Sequence, residues 1–278
     1  MTALSKITQN GALSLANGGS LNTTGPLQAL GSLSLYGSSA TLTTTGALTA
    51  SGEVNMDSGA GVISASTMTL TKTAQLNGVV KIKGNVVNNG RMQTGSPLAE
   101  QAAGGHVFTQ VTGSYTQTST GVLAPVIVNN QVSTLKVSGA ATLNGRLSFN
   151  GIGAIGTSYP IVTAASRTGK FSSFTFGSPP TYTTKSVAAV VATQISAPTQ
   201  VVHGKTFPVA GVHFPATRKV TFYLDKVSGA GIGSVMTQPD GSFFATIQMP
   251  ATATRKAHTL IAVAAGGSPK VSKKITVK

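Results

Sequence analysis

The apolar residues of the first 150 positions come in short alternating runs, most of them opened by a glycine. Gly11-Ala-Leu-Ser-Leu15 is followed twenty residues later by Gly31-Ser-Leu-Ser-Leu35, then with drift by Gly52-Glu-Val-Asn-Met56 and Gly78-Val-Val-Lys-Ile82. Asn-Gly pairs begin at Asn10, Asn17, Asn77, Asn89, Asn144 and Asn150. Both residue types tolerate positive φ, so each pair predicts a corner. Runs of three to five residues are too short for an isolated sheet. They need like neighbours above and below, and a repeat near 20 residues predicts a β-solenoid. Alternate side chains then stack inward as aliphatic ladders, while Ser, Thr and Asn face outward. Nine or ten turns, about 4.8 Å apart, give a rod roughly 45 Å long. The competing all-β readings are a sandwich and a propeller. Propeller blades repeat near about 40 residues and carry aromatic signatures. Here only Tyr36 and Phe108 precede residue 115, and Trp is absent. No window keeps a helical period of about 3.6 residues for three turns.

The pattern changes after Ile195-Ser-Ala-Pro198. Longer alternating runs follow: Lys219 to Leu224, Ser242 to Ile247, His258 to Val263 and Lys274 to Val277. Their spacing suits a β-sandwich, and Pro239-Asp-Gly-Ser242 predicts a tight turn. The reading is therefore a solenoid over residues 1–194, with closing turns from about 150, and a sandwich over 195–278.

Charge narrows the partners. There are 20 Lys and Arg against 5 Asp and Glu, a net +15, although charged residues make up only 9% of the chain. Residues 101–195 hold no acid. A neutral or anionic partner is expected, such as glycans or anionic cell-surface polymers. Cysteine is absent, which excludes disulfides, thiolate metal sites and a catalytic thiol. No basic and apolar leader and no run of about 18 apolar residues is present. The expectation is a cytosolic chain or, in better accord with the repeats, a segment of a longer exported one.

Several phrases carry a family resemblance. Gly113-Ser-Tyr-Thr-Gln117, Leu123, Leu135-Lys-Val-Ser-Gly139 and Ala141-Thr-Leu-Asn-Gly-Arg-Leu147 occur in order. Gly156-Thr-Ser-Tyr-Pro-Ile-Val-Thr-Ala164, Gly169-Lys-Phe171 and Tyr182 to Val191 follow. Residues 105–192 thereby resemble the end of the passenger region of bacterial autotransporters, which implies a right-handed parallel β-helix. No outer-membrane barrel follows, so only the passenger-like architecture is implied. Gly211-Val-His-Phe214-Pro215, Val220 to Asp225, Asp240 to Phe243, Pro250 and His258-Thr-Leu260 resemble bacterial immunoglobulin-like modules. Such modules serve as spacers, stalks and binding domains of surface proteins.

Candidate chemistry is sparse. Glycoside hydrolysis needs two carboxylates across a cleft. The solenoid offers only Glu53, Asp57 and Glu100, with Glu53 and Asp57 four apart. A lyase calcium site would need more acids than these. His106, His203, His213 and His258 show no metal-ligand spacing and read as solvated or lightly packed. Gly151 to Gly156 spells GxGxxG, but a turn and strand follow it rather than a helix. A Lys isopeptide crosslink in the second module could use only Asp225 or Asp240. Arg255, Lys256, Lys270, Lys273, Lys274 and Lys278 form the candidate contact set for an anionic polymer. Without stacking aromatics beside them, nucleic acid is not expected as the primary partner.

The sequence thus predicts an all-β, non-enzymatic, extracellular or cell-surface structural or adhesive protein. No cofactor or metal is expected. Self-association is expected, through solenoid stacking or strand addition. The alternative is a β-helical protein that binds or degrades polysaccharide.

Overall fold

A computed structural model describes residues 4–37, 39–56, 61–95, 108–128, 131–151, 157–175, 179–190 and 192–278. Every regular element among them is a β-strand. Two compact units are formed, one running to Val190 and one from residue 192 to Lys278.

The first unit is a β-solenoid. Three strands make one turn, and like strands of successive turns pair in parallel. One face is an eight-stranded sheet: Ala12–Ala16, Ser32–Tyr36, Glu53–Met56, Gln75–Gly78, Arg91–Gln93, Val122–Ala124, Arg146–Ser148 and Ser173–Thr175. We term this the second face. The other two faces merge into a 13-stranded sheet, because strands such as Val62–Leu70 and Lys81–Asn88 continue through the corner between them. The first face starts at Lys6–Ile7 and Leu27–Ala29, and the third at Ser20–Thr23 and Thr41–Thr44. Ser186–Val190 lies antiparallel on Ser158–Gly169 and closes the third face.

The inward ladder of the second face is Leu13, Leu33, Val54, Leu76, Met92, Leu123, Leu147 and Phe174, each in register with the next. Its six middle members are fully buried, while Phe174 at the end is 37% exposed. Each buried leucine contributes about 1.5–3 kcal/mol. Two expectations need correction. The stack is shorter than nine or ten turns, since later turns spend residues on excursions: Leu76 to Met92 spans 16 positions, but Met92 to Leu123 spans 31. And Ser34, between two ladder leucines, does not face open solvent; it is stacked in register between Ser14 and Asn55 and is 5% exposed.

The recurring glycines have two physical reasons. At the corner entering the second face, successive turns touch backbone to backbone. A Cβ on Gly52 would stand 2.1 Å from the Gly31 carbonyl oxygen, and one on Gly31 at 2.1 Å from that of Gly11. The freed approach lets Ser32 N–H donate to Gly11 O at 3.0 Å and Gln75 N–H to Gly52 O at 3.2 Å. At Gly84 the reason is conformational, with φ at +137° where the Lys81–Asn88 register shifts.

Inside the later turns the aliphatic ladder gives way to a buried polar network, built on Tyr115 and Gln117 of the Gly-Ser-Tyr-Thr-Gln phrase. Asn88 Nδ2 donates to Tyr115 Oη at 3.1 Å, and Tyr115 Oη donates to Gln117 Oε1 at 2.9 Å. Gln117 Nε2 faces the carbonyls of Gly121 at 3.1 Å, Asn144 at 2.6 Å and Arg146 at 3.0 Å. Asn88 Nδ2 also reaches Val122 O at 3.2 Å. Burial pushes the Tyr115 phenol far above its ordinary pKa, so it stays a neutral donor.

In the second unit, Gln194–Ser196, Thr206–Val212 and Phe243–Gln248 form a three-stranded antiparallel sheet. Gln200–Val201, Lys270–Val277, Ala257–Ala264, Lys219–Leu224 and Gly233–Met236 form a five-stranded one. Both contribute to one core, including Phe207, Val209, Val220, Phe222, Phe243, Leu260 and Ile275. Phe243 packs 5.6 Å from Phe222, nearly edge-on, and 5.2 Å from Phe214. Its ring lies over Gly211, where a Cβ would stand 2.1 Å from a ring carbon. The predicted turn at Asp240 is present: Gly241 has φ +74°, and Ser242 N–H donates to Asp240 Oδ1 at 2.9 Å.

Candidate interaction surface

The turns that lengthen do so after the second face. There Val126–Val128 pairs antiparallel with Gln131–Val132 and parallel with Asn150–Gly151. This small sheet is pinned to the solenoid by side chains. Ser133 Oγ accepts from Val126 N–H at 2.7 Å and lies 3.0 Å from Thr94 Oγ1, while Asn150 Nδ2 donates to Gln93 Oε1 at 3.0 Å. Ala124 points outward by alternation with Leu123 yet is fully buried, so the excursion closes over that end of the face.

Beside this wall runs an outward column in register: Glu53, Gln75, Arg91, Val122, Arg146 and Ser173. Arg91 and Arg146 flank Val122 from the rungs on either side, so their Cα atoms stand about 9.6 Å apart. Burial first, and then the charge of Arg146, pull the Arg91 guanidinium below the usual arginine pKa. Two like charges therefore share this shelf. Among the described residues neither arginine has an ion-pair partner. The buried network reaches the same rungs from inside, through the carbonyls of Val122 and Arg146.

The third face carries a second basic column: Lys81, Gln110 and Lys136 are in register. Lys136 Nζ sits 3.6 Å above the ring of Phe108, which is 39% exposed. That cation–π contact occupies one face of the ring.

The contact set expected from the sequence lies on the last strand, Lys270–Val277, and beside its end. Lys270 and Lys274 share the outer side of their strand, but alternation turns Lys273 to the other side, where it is half-buried. Lys256 lies by the chain end, its carbonyl accepting from Val277 N–H at 2.9 Å. His203 N–H donates to Lys278 O at 3.2 Å, and Arg255 Nη2 is 3.1 Å from His203 Nε2. Of the six, Lys273 is the one that alternation turns away from Lys270 and Lys274.

The second unit also holds a pair the sequence did not reveal. His258 and His213 are buried rather than solvated, at 6% and 4% exposure. His258 Nδ1 is 2.7 Å from Asp225 Oδ2, and its Nε2 is 2.8 Å from Thr254 O. Both ring nitrogens thus face acceptors, which suits the imidazolium. Asp225 Oδ1 accepts from Thr259 N–H at 2.8 Å, and Asp240 Oδ1 accepts from Ser242 N–H at 2.9 Å and Ser242 Oγ at 2.7 Å.

As for catalysis, Glu53 Oε2 accepts from Asn55 Nδ2 at 3.4 Å. Asp57, Glu100, His106 and residues 152–156 of the glycine phrase lie outside the described residues. Among the described residues no three His, Asp or Glu group as metal ligands, and no helix is long and apolar enough to cross a membrane.

No protein-family model and no curated protein matches the chain. Among solved structures, a superoxide reductase (neelaredoxin) from Ignicoccus hospitalis is similar at 17% identity and TM-score 0.23, over 31% of this chain and 80% of that one. The sulfur carrier protein SoxY from Chlorobium limicola f thiosulfatophilum is similar at 15% identity and TM-score 0.23, over 31% of this chain and 78% of that one. At these scores neither likeness carries an argument about this chain.

Proposed function

We propose that this chain is a non-enzymatic structural and adhesive protein of a bacterial cell surface. In this reading the solenoid is a right-handed, autotransporter-passenger-like rod, and the second unit is an immunoglobulin-like sandwich that serves as spacer or binding module. The observation that carries the reading is the eight-strand ladder held in continuous register. Such a stack makes a stiff scaffold with long lateral faces. Its first face displays Thr49 and Thr69 in register, then Thr116, Thr142 and Thr168. Hydroxyl columns of this kind suit contact with glycans.

Self-association belongs to the same proposal. Ala12–Ala16 and Ser173–Thr175 are the edge strands of the second face, and edge strands are templates for pairing with another copy. Electron microscopy of purified protein at micromolar concentration tests this. The expected result is head-to-tail filaments. Discrete particles at that concentration would remove self-assembly from the proposal.

A further inference from the structure

We propose that the shelf formed by Arg91, Val122 and Arg146 binds an acidic sugar unit of an extended polysaccharide. The inference rests on the adhesive reading above and gives it a site and a ligand class. Three features converge there. Two guanidinium groups, one of them partly buried, face the same small surface, and neither is ion-paired among the described residues, although Glu53 stands two rungs from Arg91 on the same column. A carboxylate or sulfate placed between them relieves their repulsion and accepts charge-assisted, fork-like hydrogen bonds. Val122, half-buried between them, supplies an aliphatic floor for the apolar side of a sugar ring.

The shelf is also fixed in advance. From outside, the Asn150 to Gln93 hydrogen bond holds the excursion against the face. From inside, Asn88 and Gln117 hold the carbonyls of Val122 and Arg146, and Tyr115 links the two amides. A ligand therefore meets arginines whose backbone is already ordered, which lowers the entropy lost on binding. Among the described residues, the outward column that carries the arginines holds no aromatic side chain to stack on a nucleic-acid base. The ring of Phe108 belongs to the third face and is already covered by Lys136. The shelf also differs from Lys270 and Lys274, which stand one after the other along the outer side of a single strand.

The test uses the full chain, with polygalacturonate, heparin and dextran as probes and binding followed by calorimetry. A carboxylated or a sulfated polymer should bind saturably, and the two probes identify which anion is preferred; dextran should not bind. Arg91→Gln and Arg146→Gln should each weaken binding about tenfold, equivalent to one charge-assisted contact. The double variant Lys270→Gln/Lys274→Gln removes twice the charge of either and should change affinity less than about twofold. Thermal unfolding confirms that the arginine variants fold. Equal losses in the lysine variant would show bulk charge attraction and overturn the shelf. Unchanged binding in both arginine variants would overturn the shelf but leave glycan adhesion standing. Failure of every polysaccharide to bind would overturn both. Duplex DNA binding more tightly than either acidic polymer, with loss in the arginine variants, would replace the ligand class and overturn the proposal.

Discussion

Gly84→Ala will destabilise the solenoid by about 3 kcal/mol or more. Gly84 has φ +137°, which side-chain-bearing residues rarely adopt, and a Cβ there would stand 1.8 Å from the Ala65 carbonyl oxygen. That oxygen is backbone of the preceding turn, so no side-chain rotation relieves the clash. The same residue is bonded to the following turn: its N–H donates to Thr112 Oγ1 at 3.2 Å, and its carbonyl accepts from Gly113 N–H at 3.0 Å. Strain at Gly84 thus spreads to the turns on both sides. For a unit of this size the loss corresponds to a fall in Tm of about 6–12 °C. Gly25→Ala is the matched control. It occupies the same corner, but nothing lies within 4 Å of its added Cβ, and its φ is not in the left-handed region. It should shift stability by less than about 1 kcal/mol. Calorimetry of both variants decides the matter, and equal melting of Gly84→Ala and wild type would contradict the observed backbone packing.

The second unit should be most stable near pH 6.5 and lose stability on either side. For His258, burial lowers the pKa, but hydrogen bonds to Asp225 and to Thr254 O, with the Asp225 charge, raise it further than burial and Lys256 lower it. A histidine whose folded pKa is raised contributes fully below its unfolded value, about 6.5, and the contribution is lost as pH rises through the folded value. His213 works in the opposite sense. Burial lowers its pKa, with a backbone hydrogen bond to Ala192 opposing, so its contribution is present above about pH 6.5 and is lost as pH falls. For Asp225 the hydrogen bond from Thr259 N–H leads, burial opposes, and His258 and Lys256 add to a net lowering. Its contribution is present above about pH 3.8 and disappears as pH drops through the depressed folded value. Asp225→Asn should therefore cost about 1–2 kcal/mol near pH 6, the range for a partly exposed charged hydrogen bond. It should also flatten the alkaline limb while leaving the His213 limb intact. Denaturant unfolding across pH 4.5–8.5 reads both effects. An alkaline limb of the same steepness in Asp225→Asn would show that the pair does not set it.

The solenoid was legible because its rule is local. Gly-x-Leu phrases mark a corner and a ladder position without knowledge of any distant residue, and the inward set Leu33, Leu35, Val54 and Met56 follows from alternation alone. What stayed hidden depends on register. Arg91 and Arg146 are 55 positions apart, and the excursions between them destroy the even spacing that would place both on one column. Ser34 shows a second limit, because alternation predicts direction but not how closely the neighbouring turns cover an outward side chain. Lys273 shows the reverse case, where clustering in sequence was read as clustering in space although neighbours on a strand point to opposite sides. The His258–Asp225 pair depends on Asp225 adopting φ +62°, at the end of a strand 33 positions from its partner. An aspartate directly after the apolar run Lys219 to Leu224, together with His258 opening the next paired strand, is the signal that could have suggested it.

The central claim is that the solenoid is a scaffold that holds a polymer and does not cut it. The most direct measurement is the chain length of polygalacturonate after prolonged incubation with the full chain, read by size-exclusion chromatography alongside a binding assay on the same sample. The account predicts bound polymer of unchanged length. Progressive shortening that disappears in Glu53→Gln would contradict it.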